Sequence, residues 1–203
     1  MIRNLAIFLS GLALSACGMV ASERPLFGTA DAAGAPKARA GLWAMLEPGC
    51  KLNLQSAPSK WPDCAYAIIL RDGMIVDPTP DPRGQIDDPV AYQLIRGDPV
   101  IVQVSASSQG AGYVYFGFRP LAVDGAGAVI EARVWPALCA KPAAPGGKPA
   151  KPLVGLIATS GGHGECEARR AGPLRNAVIQ SEPWSALPQA KVFTAKWIKD
   201  IAR

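Results

Sequence analysis

Histidine is almost missing from this chain: His163 is the only one among 203 residues. A multi-histidine metal centre or a His–His acid/base pair is therefore excluded within one copy. Charge is sparse too, with Asp, Glu, Lys and Arg at 18% of residues against 49% hydrophobic. That balance excludes a wholly disordered chain. The net charge of +5 is small and scattered, so nucleic acid is not expected as a partner. No repeat recurs at a fixed period. A C-x₂-C pair is absent, and Gly146-Gly147-Lys148 lacks the spacing of a phosphate loop. No cofactor or metal is expected. No run reaches the length of a membrane-spanning helix. Glycine (21) and proline (19) are abundant, yet short of a collagen-like or low-complexity composition.

The chain opens MIRNLAIFLSGLALSAC. Arg3 supplies a short positive region, and Leu5 to Ala16 form an apolar core too short to span a bilayer. It ends in Leu14-Ser15-Ala16-Cys17, with small residues suited to a signal peptidase and a thiol immediately after them. This pattern resembles the lipobox of bacterial lipoproteins. The resemblance covers residues 1–17 and implies removal of 1–16 and lipidation of Cys17. Stable anchoring follows where two or more acyl chains are attached. Gly18 stands where an Asp often marks inner-membrane retention in that family, which favours the outer membrane of a cell envelope. Residues 18–40 show no sustained period and are rich in Ala, Gly and Pro. With Cys17 they are expected to form a flexible tether, followed by one domain over 41–203.

Setting Cys17 aside leaves Cys50, Cys64, Cys139 and Cys166. An even number in an oxidising compartment reads as two disulfides, and four cysteines allow three connectivities. Cys50–Cys64 with Cys139–Cys166 is favoured, because each bond closes a local, proline-rich loop. In the chain-entropy account these closures are worth roughly 3 and 3.6 kcal/mol. A Pro/Ala/Gly/Lys insertion over 140–152 falls inside the second loop.

Strand signals dominate from Gly41. Short apolar runs occur at Leu42–Leu46, Ala65–Leu70 and Met74–Val76, the last two joined through Asp72-Gly73. Tyr92–Arg96 and Val100–Ser105 flank Gly97-Asp98-Pro99. Gly112–Leu121 and Ala128–Trp135 make the strongest hairpin, across Asp124-Gly125-Ala126-Gly127. Leu153–Thr159 reads as a strand, and Lys191–Ile198 as a closing strand. One helix is expected within Glu167–Ser181, starting near Gly172 with Pro173 in its first turn. Its apolar face is Leu174, Ala177, Val178 and Ser181. The expected class is α+β: a mostly antiparallel sheet of six to eight short strands, with one or two helices covering a face and two disulfides. The Gly41-Leu42-Trp43 start, the paired cysteines and the cysteine-then-helix ending look like small lipoproteins of Gram-negative bacteria.

Chemistry is thinly signalled. Ser160-Gly161-Gly162-His163-Gly164 could bring a serine and a base together with an orienting carboxylate such as Asp124, but no nucleophile-elbow motif surrounds Ser160. His163, Glu165 and Glu167 alternate without the specificity of a metal motif. Asp77, Asp81, Asp87 and Asp88 crowd a proline-rich loop without EF-hand spacing. Arg169, Arg170 and Arg175 form a small basic patch. Tyr113 and Tyr115 should lie opposite Val114, Phe116 and Phe118, with their hydroxyls wet. Together with His163 they are the candidate ligand surface. The five tryptophans read as core anchors.

The expected function is a membrane-anchored envelope lipoprotein without catalytic residues, acting as a binding or structural module for an envelope protein or glycan. The competing reading is a ligand-binding or hydrolytic envelope enzyme using the Ser160/His163 turn.

Overall fold

The computed structural model describes residues 18–78, 88–106, 112–143, 150–159, 166–187 and 192–201. The architecture is a closed antiparallel barrel, which corrects the α+β expectation. Seven strands follow one another as neighbours: β2 (Gly41–Leu46), β3 (Ala65–Arg71), β4 (Met74–Val76), β5 (Val90–Ile95), β6 (Val100–Ser105), β7 (Tyr113–Val123) and β8 (Val129–Pro136). The eighth, β11 (Phe193–Lys199), inserts between β8 and β2. The ring closes because every strand, β11 included, has a partner on both sides. Three short strands stand outside it: β1 (Val20–Ser22), β9 (Ile157–Ala158) and β10 (Cys166–Glu167). Among the described residues, helix is confined to α1 (Thr29–Ala32), α2 (Ala171–Trp184) and one 3₁₀ turn at Pro58–Lys60.

Period-two alternation sorts the strand residues onto two faces. Inward positions of all eight strands meet in one apolar cluster that includes Trp43, Leu70, Val102, Phe118, Val134 and Ala195. Outward positions of β5 to β8, namely Ile95, Ile101, Tyr115 and Trp135, belong to a second cluster with Val20, Phe27 and the apolar face of α2. That face is Leu174, Ala177, Val178 and Ser181, as the spacing predicts, and α2 starts with Pro173 in its first turn. Gly117 makes the contact between helix and barrel possible. A Cβ there would sit 2.1 Å from the Trp135 ring, whose indole N–H donates to the Val178 carbonyl at 3.0 Å.

Residues 18–40, read from composition as a tether, carry β1, α1 and a strap across one end of the barrel. Val20 and Phe27 are buried. β1 pairs with β7 and β10, and the Cys139 amide donates to the Gly18 carbonyl at 3.0 Å. Gln103, outward on β6, fixes the following turn: its Oε1 accepts from the Leu26 and Phe27 amides, and its amide donates to the Phe27 carbonyl. The strap then exchanges backbone hydrogen bonds with Val129 through Lys37 and Arg39.

Both disulfides, Cys50–Cys64 and Cys139–Cys166, are present, in the pairing expected from local loop closure. The Asp72-Gly73 turn also forms, both residues at positive φ. The Leu153–Thr159 strand is reduced to Ile157–Ala158. Gly155, at φ +86, turns the chain against Pro173 of α2 instead of extending it.

Candidate functional site: the barrel lumen

The two ends of the barrel differ. At one end, the short turns at 72–73 and 124–127 and the strap make a floor. The Trp43 indole donates to the Arg39 carbonyl at 2.8 Å, and the Trp197 indole to the Ala40 carbonyl at 3.0 Å. The Arg39 guanidinium lies 3.8 Å above the Trp197 ring and pairs with Asp124 and Asp200. Asp124 itself accepts from the Ala126 and Ala128 amides, so it organises the turn. At the other end the chain runs through the Cys50–Cys64 loop, and β3, β5, β7 and β11 begin there.

Burial is uneven along the strands. On β6 the outward Ile101 and Gln103 are 1% and 5% exposed, beneath the N-terminal segment, whereas the inward Val100, Val102 and Val104 are 7%, 9% and 8% exposed. On β7 the outward Tyr115 is fully buried, while the inward Val114 and Phe116 are only half-buried. On β5, Ile95 is fully buried outside, and Tyr92 and Leu94 are half-buried inside. Met45, Ile68 and Ile75 complete the half-buried inner wall. Dry packing occurs both in the layer between barrel and α2 and inside the barrel around Trp43, Val129 and Ala132. Inside the barrel, access is confined to the half-buried part of the inner wall.

The lumen wall is chemically uniform. Along β2 to β8 and β11 its inward positions carry no charged side chain. Two of the inward side chains are phenols, Tyr66 and Tyr92. Tyr66 stacks edge-to-face on Phe193, with centroids 6.1 Å apart, at the start of β3 and β11. Its hydroxyl pKa is raised by burial first, then by the nearby carboxylates of Glu47 and Asp63, and Glu47 also hydrogen-bonds it. Burial alone raises the Tyr92 hydroxyl.

The other sequence candidates are placed differently. Tyr113 and Tyr115 do lie opposite Val114, Phe116 and Phe118, but they do not form a wet surface. Tyr115 is buried, its hydroxyl 2.6 Å from Ser22 Oγ, and its ring stands edge-on to Phe27. Tyr113 packs partly buried against the same cluster. Cys17, Ser160, His163, Glu165, Asp81 and Asp87 lie outside the described residues. Among the described residues no cluster of potential metal ligands occurs, and no helix is long and apolar enough to cross a membrane. The basic patch is engaged: Arg169 pairs with Glu167, and Arg175 donates to the Arg96 carbonyl over the Phe27 ring.

Sequence reasoning missed the lumen because ring closure depends on partners far apart in the chain. The signal was nonetheless there, in inward positions that are aromatic on β3 and β11 but small on β6 and β8. Comparison with protein-family models, curated proteins and solved structures gives no match for this chain.

Proposed function

We propose that this protein is a non-enzymatic binding module of a cell envelope, held at a membrane by lipid on Cys17, with the barrel lumen as its ligand site. The partial access to the inner wall carries this reading: Met45, Ile68, Ile75, Leu94 and Phe116 belong to the inward cluster and are only half-buried. An eight-stranded barrel is wide enough either to be filled by its own side chains or to hold one small ligand. The mouth of a barrel with apolar walls and few polar groups fits the general character of ligand sites. Support for the anchor comes from the Leu14-Ser15-Ala16-Cys17 pattern.

Two measurements test the reading. The purified protein should enhance the fluorescence of N-phenylnaphthylamine, a neutral apolar probe. Val102→Phe, which fills the lumen, should abolish the enhancement while circular dichroism stays unchanged; undiminished binding in a folded variant would place the probe elsewhere. Separately, Cys17→Ser should move the protein from the membrane to the soluble fraction, and retention in the membrane would refute the anchor.

A further inference from the structure

The fold starts at the residue after the proposed lipid site. Gly18 is buried, and its carbonyl accepts from the Cys139 amide at 3.0 Å. Met19 bridges Leu138, the Val20 amide donates to the Ala137 carbonyl at 2.8 Å, and Val20 is fully buried. The chain is therefore fixed from Gly18 onward. Consecutive Cα atoms are about 3.8 Å apart, so a group on Cys17 has no spacer between itself and this layer.

Two hydrogen-bonded ladders lead outward from this start. In one, Gly18 bonds Cys139, whose carbonyl accepts from the Leu153 amide at 2.7 Å. In the other, Val20 of β1 stands opposite Cys166 of β10, and Cys166 opposite Ala158 of β9. The Cys139–Cys166 disulfide joins the two. Paired rows lie about 4.8 Å apart, which puts Leu153 and Ala158 about 10 Å from the N-terminal segment. Between them the chain divides its apolar side chains. Leu156 is buried and Leu153 packs partly buried against the outer cluster. Val154 is 90% exposed and Ile157 44% exposed, so Val154 contributes almost nothing to packing within the fold. Charge does not oppose a lipid surface here: residues 137–165 carry Lys141, Lys148 and Lys151 against one carboxylate, Glu165. Exposed apolar side chains within about 10 Å of a lipid attachment point match a bilayer interface, and a link without spacer gives them a high effective concentration there.

We infer that lipid on Cys17 seats the barrel directly on the bilayer, with the flank of β1, β9 and β10 towards the head groups, Val154 and Ile157 in contact with them, and the missing spacer as the cause of this orientation. This rests on the lipid-anchor reading, and the test separates the two claims. The acylated protein is reconstituted in phosphatidylcholine vesicles doped with a lipid that carries a nitroxide on its head group. A fluorophore is placed on Val154→Cys in one sample and on Arg71→Cys in another, after the disulfides have formed. Arg71 is exposed at the end of β3, which stands across the ring from β7, the strand that pairs with β1. Quenching at position 154 should exceed that at position 71 by roughly threefold or more. A twelve-residue Gly/Ser linker inserted between Cys17 and Gly18, with a reach of about 20 Å, should bring the two positions to similar values. Should Val154→Cys disturb the disulfide pairing, Lys151→Cys serves as the second site. Equal quenching at both positions, or none at 154 in protein that co-sediments with the vesicles, overturns the seating and leaves the anchor standing. A difference that survives the linker overturns the short link as its cause. Protein that carries no acyl chain and stays in the supernatant overturns the anchor itself.

Discussion

The hydroxyl of Tyr115 and the Oγ of Ser22 meet at 2.6 Å in a buried layer, tying β7 to β1 across 93 positions of sequence. Ser22 Oγ also lies 2.6 Å from the Arg24 carbonyl, to which it donates, so the phenol is the donor to Ser22. Tyr115→Phe should cost about 1 kcal/mol in denaturant unfolding, the usual net worth of one hydrogen bond. Ser22→Ala should cost more, about 2 kcal/mol, because the buried phenolic donor is then left unpaired. Equal losses in the two variants would contradict this donor order.

Glu182 on α2 receives both Nε and Nη2 of Arg119, at 2.6 and 2.8 Å. Arg119 holds its carboxyl below the usual range, opposed by a smaller burial effect. A carboxyl depressed on folding adds stability above its unfolded pKa and loses it as pH falls through the folded value. Glu182→Gln should therefore destabilise by about 1 kcal/mol at neutral pH, a modest figure because Arg119 is 40% exposed. The difference from the parent should vanish on acidification below the folded pKa. A penalty that stays constant down to strongly acidic pH would assign it to packing instead.

Gly117→Ala should be the most damaging small substitution on the outer face. The added methyl has no room beside Trp135. Moving that ring breaks its bond to Val178 and lifts α2, at about 3 kcal/mol or more. Thermal unfolding and the near-ultraviolet tryptophan signal both report it, and an unchanged melting temperature would show that the ring can shift freely.

Removing the two disulfides should have unequal results. Cys50–Cys64 closes an exposed rim loop, so its double alanine variant should lose about 3 kcal/mol, the loop-closure figure. Cys139 and Cys166 are buried in the dry layer. Their loss should exceed the roughly 3.6 kcal/mol of loop closure, because packing is lost as well. Chemical denaturation of the two variants side by side decides the order.

The local elements were legible where a period was present. The parity of Tyr113 to Phe118, the apolar face of α2 and the Asp72-Gly73 turn each follow from spacing within a few residues. Which side of β7 would be dry was not legible. Its cover is the segment around Leu26 and Phe27, which has no period and docks through backbone groups on Gln103. The same lack of period made residues 18–40 read as a tether. Counting strands and one helix suggested a layered α+β sheet. Alternation reports that a strand has two faces, and says nothing about whether the sheet's edges meet.

The edges meet through β11 alone, which joins β2 on one side to β8 on the other. This seam gives the chain a strict order of completion. Until residues 193–199 are free, β2 and β8 present unpaired backbone along their lengths, the condition that invites strand addition from another molecule. The joining contacts span almost the whole sequence, and such non-local pairing is slow to form. A chain cut short before Phe193 would keep its hairpins and its outer helix and still be an open sheet, with its hydrocarbon face turned to solvent.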